Sequence, residues 1–269
     1  MIPARLHQIW VGPRPAPTRW MRTWQDAHPN WEYTLWDERA IKRLRLQNVQ
    51  LYRRLCDIGR YDGASDVVRA EILLRQGGVY VDADSECLRP LDGAPFLRGT
   101  FFAVEDPVID AGWVVVRELL GDVDYLVAGG FMGAEPGHAI LRRYVEALSR
   151  VSLDHLTPTW VTTGGILLMR VLAEEAGAEI IPSWTFFDRT LEGEPVVGGE
   201  PYARHFWSST AGRDRHHSGA TPYPGQIKGS IPEEYDARTG TRAMLRKMRR
   251  RGERIMGRAV RALVHRSPP

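Results

Sequence analysis

A single α/β domain built on a doubly wound parallel sheet is the fold class this sequence predicts, on three observations. Short apolar runs alternate with amphipathic runs from the start of the chain to Asp84, the order that lays parallel strands side by side under helices. The segment SDVVRAEILLRQGGVYVDAD, residues 65–84, reads as one helix, one turn and one strand. Of the 269 residues, 43% are hydrophobic, enough to fill a sizeable core.

The elements follow in order. Residues 3–11 alternate into a first strand, Leu6 to Val11, closed by Gly12-Pro13, and a helical pattern covers Trp20 to Ala27. A second strand, Trp31 to Trp36, ends at Asp37, and a helix is expected from Glu38 to Cys56. In the next helix Ser65 can serve as N-cap, Val68, Ile72 and Leu73 recur at helical spacing, and Gly77-Gly78 supplies a left-handed stop. Val79 to Val81 is a short β-favouring strand. After Asp84 the alternation loosens. Phe101 to Val104 and Tyr125 to Met132 read as strands that can add antiparallel, and Pro136 opens an amphipathic helix to about Ser149. Thr163-Gly164-Gly165 precedes a helix through Glu175, Glu179 to Ile181 is a strand, and the Gly/Pro-rich stretch from Leu191 to Tyr202 is a loop. No repeat is present. The domain is expected to run over residues 1–235, with a separate tail over 236–269.

Ligands of such sheets collect at the carboxyl ends of the strands, where Trp10, Asp37, Asp82 and Asp84 should all arrive. Asp82 and Asp84 leave their strand two residues apart, so both carboxylates face the same way and can share one cation. Hard oxygen ligands suit Mg²⁺ or Mn²⁺, whose coordination diphosphate oxygens would complete. An isolated DxD is weak evidence, since any two surface aspartates at that spacing match it; its place after a buried-looking strand gives it weight. On the preceding helix Asp66 and Arg69 share a face. They either meet sugar hydroxyls and phosphate or form a surface ion pair of small consequence.

Composition narrows the function further. Cys56 and Cys87 are the only cysteines, with no CxxC, so neither a disulfide framework nor a thiolate metal site is indicated and a cytoplasmic setting is expected. MIPARLHQIW contains no apolar run of signal-peptide length, and no stretch approaches the ~20 apolar residues of a membrane span. The net charge of +3 is asymmetric: residues 242–269 hold ten Lys/Arg against one acid, leaving the rest of the chain at −6. A nucleic-acid partner is therefore not expected. From Arg242 to Arg266 the apolar positions fall at helical spacing, a basic amphipathic helix that either packs on its own domain or docks peripherally on anionic lipid at the inner face of the plasma membrane.

The blocks IPARLHQIWVGP, HPNWEYTLWDE, SDVVRAEILLRQGGVYVDAD, GGFMGAEPGH and HFWSST, spanning roughly residues 2–211, resemble in order the landmarks of the DXD-containing glycosyltransferases. That family includes fungal initiating mannosyltransferases and bacterial capsular polysaccharide enzymes (glycosyltransferase family 32-like), and the glucosylating bacterial toxins look more distantly similar. The resemblance implies a GT-A fold and transfer of a sugar from a UDP- or GDP-linked donor to a hydroxyl acceptor, dependent on Mn²⁺ or Mg²⁺ and with retention. It implies that Trp10, between Ile9 and Val11, stacks on the nucleotide base, that Asp66 and Arg69 hold donor sugar and ribose, and that Tyr80 lines the same pocket. Asp82, Ala83 and Asp84 then meet the donor diphosphate and ribose, with Asp82 and Asp84 as cation ligands and His205 closing the coordination shell; Trp207 either stands in for the diphosphate-contacting tryptophan that the family has near 210–211 or packs beneath the loop. Read as a residue alone, His205 is as readily a hydrogen-bonded core histidine.

The sequence departs from the family pattern at Gly129, Gly165 and Thr210-Ala211, which puts donor contacts there in question. His138 is expected to cap or pack a helix. No carboxylate beyond those assigned to metal and sugar can be placed under the anomeric carbon, Asp106, Asp110 and Glu135 being the remaining candidates, so a front-face reaction is favoured over a double displacement. Two rivals stand beside this reading. VYVDADSE also resembles a haloacid-dehalogenase phosphohydrolase strand, although Glu86 occupies the position where that family needs Thr or Val. A non-catalytic sugar-nucleotide-binding protein is the other.

Overall fold

The computed structural model describes residues 1–106, 119–121, 123, 125–156, 158–189, 195 and 200–206. Six strands, β1 (Arg5–Ile9), β2 (Glu32–Trp36), β3 (Gly78–Val81), β5 (Phe101–Glu105), β6 (Val127–Ala134) and β7 (Glu179–Ile181), form one sheet in the order β2-β1-β3-β6-β5-β7. Five run the same way and β6 runs against them, antiparallel to both β3 and β5. The parallel sheet expected from the alternation thus carries one reversed strand, because β5 and β6 are neighbours in both sequence and sheet. Two further strands, β4 (Ser85–Cys87) and β8 (Ala203–His205), pair antiparallel in a separate ribbon.

Side chains alternate between two cores, as a pleat dictates. Phe101 and Ala103 of β5 point into one, Phe102 and Val104 into the other, and in β3 Tyr80 faces the first while Val79 and Val81 face the second. The first core is closed by α4 (Tyr61–Gln76), α5 (Ala139–Ser149) and α7 (Gly165–Glu174). The second is closed by Trp24 of α1 (Thr18–Ala27), Phe186 of α8 (Ser183–Phe186), and Phe96 and Phe187.

Local reading fails where a tertiary contact decides. The helix expected over Glu38 to Cys56 is two, α2 (Glu38–Leu44) and α3 (Val49–Asp57), broken after Arg45, whose φ is 52°. The fully buried carboxylate of Glu71 on α4 accepts from the amides of Gln47 and Asn48 at 2.7 and 2.8 Å and pairs with Arg75 at 2.9 Å. Those two amides introduce α3, and the acid that satisfies them lies more than twenty residues away.

Ser65 is likewise no N-cap. α4 begins four residues earlier, and the Ser65 hydroxyl donates back to the Tyr61 carbonyl at 2.9 Å. Gly63, inside α4, is a packing glycine: a Cβ there would lie 2.6 Å from Thr159 Cγ2 of the short helix α6 (Thr159–Thr162). β1 ends at Ile9, two residues earlier than expected. The turn at Gly77 and Gly78 has the anticipated positive φ values, 64° and 95°. His138 caps α5, its Nδ1 accepting from the Ile140 amide at 3.3 Å.

The domain boundary near residue 236 and the basic helix over 242–266 lie outside the described residues. Among the described residues, no helix is long and apolar enough to cross a membrane.

Candidate active site

Strand β3 delivers the acidic pair. The Asp82 amide continues the ladder to the Gly130 carbonyl at 2.9 Å, and the chain then turns through Ala83 and Asp84 into β4. Because β4 pairs with β8 in the register Ser85↔His205, a histidine 121 residues away from Asp84 is set against the turn. Its Nε2 lies 3.0 Å from Asp84 Oδ1 and 3.4 Å from Asp82 Oδ2. Ligand atoms from Asp82, Asp84 and His205 all fall within 4.8 Å of one another, the span across which a single ion can bridge. The His205 ring is held from behind by Phe131, edge-on at 5.4 Å, and by Phe187, stacked at 6.1 Å.

Beside this cluster lies the Asp66–Arg69 pair of α4. Both side chains are under 10% exposed, which removes the surface-pair alternative. Arg69 Nη2 is 3.0 Å from Asp66 Oδ1, Nη1 is 3.7 Å from Asp82 Oδ1 and donates to the Gly129 carbonyl, and the guanidinium lies 4.6 Å over the Tyr80 ring. Tyr80 in turn donates its hydroxyl to Asp82 Oδ1 at 2.7 Å. One arginine therefore ties α4, β3 and β6 together beside the acidic cluster.

Electrostatics follow from this packing. Burial pushes the Asp66 carboxyl up to about 7, with Arg69 and a Thr163 hydrogen bond pulling the other way. Burial also raises Asp82, but there Arg69 and His205 prevail and hold the carboxyl well below the usual range. Burial lowers His205, yet Asp84 and Asp82 outweigh it and lift the imidazole to about 10. Both carboxylates thus favour the charged form of the ring they face. Two oxygens and one imidazole nitrogen form a donor set that fits Mn²⁺ well and Mg²⁺ through its carboxylates, with His205 surrendering its proton on binding.

Four features of the site had no clear local signal. Thr163 donates to Asp66 Oδ2 at 2.8 Å, and four residues earlier Thr159 donates to Asp62, four residues before Asp66, so α6 is laced to α4 by two matching rungs. The Tyr144 hydroxyl donates to the Thr163 carbonyl. Gly129 and Gly130 occupy a bulge in β6, where Ala103 pairs with Met132 but the next residue of β5, Val104, pairs with Ala128. A Cβ on Gly129 would come 3.1 Å from Arg69 Nη1, and one on Gly130 would come 2.3 Å from Asp82 Oδ2. The glycine pair noted as a departure at Gly129 is the bare floor on which the charged groups lie.

The other candidates distribute unevenly. Trp10 is half-buried after β1, its indole donating to the Arg14 carbonyl at 2.8 Å, while the side chains of Ile9, Val11 and Ala83 belong to the packed interior. Asp37 does not join the site: its carboxylate caps α2, accepting from the Ala40 amide at 2.7 Å. Glu135 follows the end of β6 that pairs with Gly78, at the opposite edge of the sheet from Asp82, and pairs with the Met1 ammonium at 3.4 Å. Asp106 follows β5 on the same edge as Asp82, two strands away. Trp207, Asp110, Thr210 and Ala211 lie outside the described residues.

Residues 17–98 match the model of the family described as a glycosyltransferase sugar-binding region containing a DXD motif. The chain is 28% identical over 161 residues to inositol phosphoceramide mannosyltransferase 3 of Schizosaccharomyces pombe, covering 58% of this chain and 40% of that protein. It is 25% identical over 194 residues to inositol phosphoceramide mannosyltransferase 2 of the same organism, covering 70% and 51% respectively. The chain thus spans about half the length, or less, of these relatives. Among solved structures it is similar to the PaToxG glycosyltransferase, with a TM-score of 0.51 and 13% identity over 64% of this chain and 69% of that one. The shared fold is that of the GT-A glycosyltransferases.

Proposed function

We propose that this chain, a relative of the DXD glycosyltransferases over residues 17–98, transfers a sugar from a nucleoside-diphosphate donor, UDP- or GDP-linked, to a hydroxyl acceptor with retention. The observation that carries the reading is the convergence of Asp82, Asp84 and His205 beside the buried Asp66–Arg69 pair. Asp82, Asp84 and His205 would hold Mn²⁺ or Mg²⁺; when bound, the ion supplies positive charge that neutralises the departing diphosphate.

The chain's own groups do the remaining work. Arg69 brings a permanent cation beside the acidic cluster, and its contacts with Asp66, Tyr80 and the Gly129 carbonyl fix its orientation before substrate arrives. Asp66, braced by Thr163, offers a carboxylate oxygen to sugar hydroxyls. Trp10 offers an aromatic face to the base at the end of β1. Among the described carboxylates considered as a nucleophile, Asp66, Asp82 and Asp84 are engaged, Glu135 is at the far edge of the sheet, and Asp106 is two strands away from Asp82. A front-face course, in which the leaving phosphate takes the acceptor proton, suits that inventory.

The test is thermal-shift screening of UDP and GDP with Mn²⁺, followed by hydrolysis of the corresponding nucleotide sugars. One nucleotide should raise the melting temperature only when metal is present, and Asp84→Ala should abolish both the shift and the hydrolysis. Metal-independent stabilisation, or an Asp84→Ala enzyme that turns over normally, refutes the reading.

A further inference from the structure

Beneath the acidic turn lies a hydrogen-bond chain that none of the assigned roles uses. The indole of Trp24 on α1, fully buried, points its N–H at Ser85, 3.0 Å from Oγ and 3.1 Å from the carbonyl oxygen. The Ser85 hydroxyl, also fully buried, donates to the Asp82 carbonyl at 2.5 Å. A side chain thereby closes the four-residue turn Asp82-Ala83-Asp84-Ser85. The Gln8 amide adds a longer contact of 3.4 Å to the same carbonyl. A second link from α1 runs one residue away, where the Thr23 hydroxyl accepts from the Cys87 amide at 2.8 Å. α1 is thus fastened along β4, and β4 carries the register that presents His205.

We propose that Trp24 and Ser85 are positioning residues for the cation site: the relay from indole to hydroxyl to the Asp82 carbonyl fixes the separation of the Asp82 and Asp84 carboxylates. Two carboxylates separated by one residue take up a common ligand only if the backbone between them holds a single shape, and a three-residue strand such as β4 has little ladder of its own to impose it. Ordering from outside is required, and the relay supplies it from α1. The hydroxyl is suited to the task because it donates and accepts at once, so each bond polarises the next. Partners of this kind, which touch the ligating residues and not the ion, typically govern metal affinity by about ten- to a hundredfold.

The inference rests on the proposed cation site and is separable from it by experiment. Mn²⁺ affinity, with and without UDP or GDP, is measured by titration calorimetry on the full chain and on Asp84→Ala, Trp24→Phe, Ser85→Ala and the Trp24→Phe/Ser85→Ala double variant. Trp24→Phe keeps an aromatic ring and deletes the N–H; Ser85→Ala deletes the hydroxyl. Each single variant is expected to weaken Mn²⁺ binding by about tenfold. The double variant should be no weaker than the worse single one, because both act through one relay. Saturating Mn²⁺ should restore turnover in both single variants, a split that general loss of packing does not produce. Unchanged Mn²⁺ affinity in both single variants, with only the metal-free melting temperature lowered, overturns the inference and leaves the relay as core packing. If Asp84→Ala itself binds Mn²⁺ as the parent does, the cation site fails first.

Discussion

Gly130→Ala adds one methyl group, and the site determines what that methyl does. The position has an ordinary backbone conformation, so replacing glycine by alanine should on entropy alone stabilise the fold by about 0.4–1 kcal/mol. Opposing this, the new Cβ would lie 2.3 Å from Asp82 Oδ2 and 2.9 Å from its Cγ, where ordinary contact begins at 3.4 Å. The carboxylate must retreat by about 1 Å, because the alternative is to move β6 against two paired strands. That retreat breaks the 2.7 Å bond from Tyr80 and changes the 3.4 Å approach to His205. Metal sites tolerate displacements of only about 0.2 Å, so the loss of Mn²⁺ affinity should exceed tenfold. Overpacking typically destabilises by about 1–3 kcal/mol, so the net after the entropy gain is a loss of up to about 2.6 kcal/mol, and the melting temperature should fall by up to about 5 °C for a domain of this size. Calorimetric titration with Mn²⁺ and a thermal melt of the metal-free protein read the two effects separately. A Gly130→Ala protein that binds Mn²⁺ within twofold of the parent and melts higher would show that Asp82 does not rest on this glycine.

His7 gives a pH test away from the site. Its Nε2 bonds the Gly77 carbonyl at 2.9 Å and its Nδ1 accepts from the Trp36 indole at 3.3 Å, so only the neutral ring satisfies both, and burial lowers it from 6.5 to about 4. A lowered histidine contributes stability that is complete above pH 6.5 and is lost as pH falls toward 4, about 2 kcal/mol by pH 5 and 3 by pH 4. Urea unfolding from pH 7.5 to 4.5 should show that slope in the parent and not in His7→Gln; parallel curves for the two proteins dismiss it. Thr163→Val leaves a buried oxygen of Asp66 without its 2.8 Å donor, so stability should drop by about 1–3 kcal/mol and donor KM rise, read by urea melts and nucleotide-sugar hydrolysis. Arg69→Lys keeps the charge but cannot reach Asp66, Asp82 and the Gly129 carbonyl together; hydrolysis should fall on the order of a hundredfold, and activity near the parent's would remove Arg69 from the machinery.

Much of the sheet is legible in the amino-acid sequence itself, because strands buried on both sides announce themselves as apolar runs and the turn at Gly77-Gly78 demands glycine. The acidic pair is legible for the same reason: a strand end places it. What escapes is set by contacts between distant segments. The break at Arg45 depends on Glu71, Gly63 is required by the approach of Thr159, and Asp37 looks like a ligand until its cap to Ala40 is seen. The ribbon of β4 and β8 is too short, three residues a side, to carry a periodic pattern. Gly129 and Gly130 are visible as a doublet, yet only the side chains lying across them reveal why no larger residue belongs there.

The pairing of Ser85 with His205 has a temporal consequence. As the polypeptide leaves the ribosome, both aspartates emerge some 120 residues before the imidazole that completes their trio. Through that interval the two neighbouring anions lack the imidazole that β8 sets against them. If the trio holds the proposed cation, its full donor set would exist only after the late strand docks, so capture of the ion would follow folding rather than seed it.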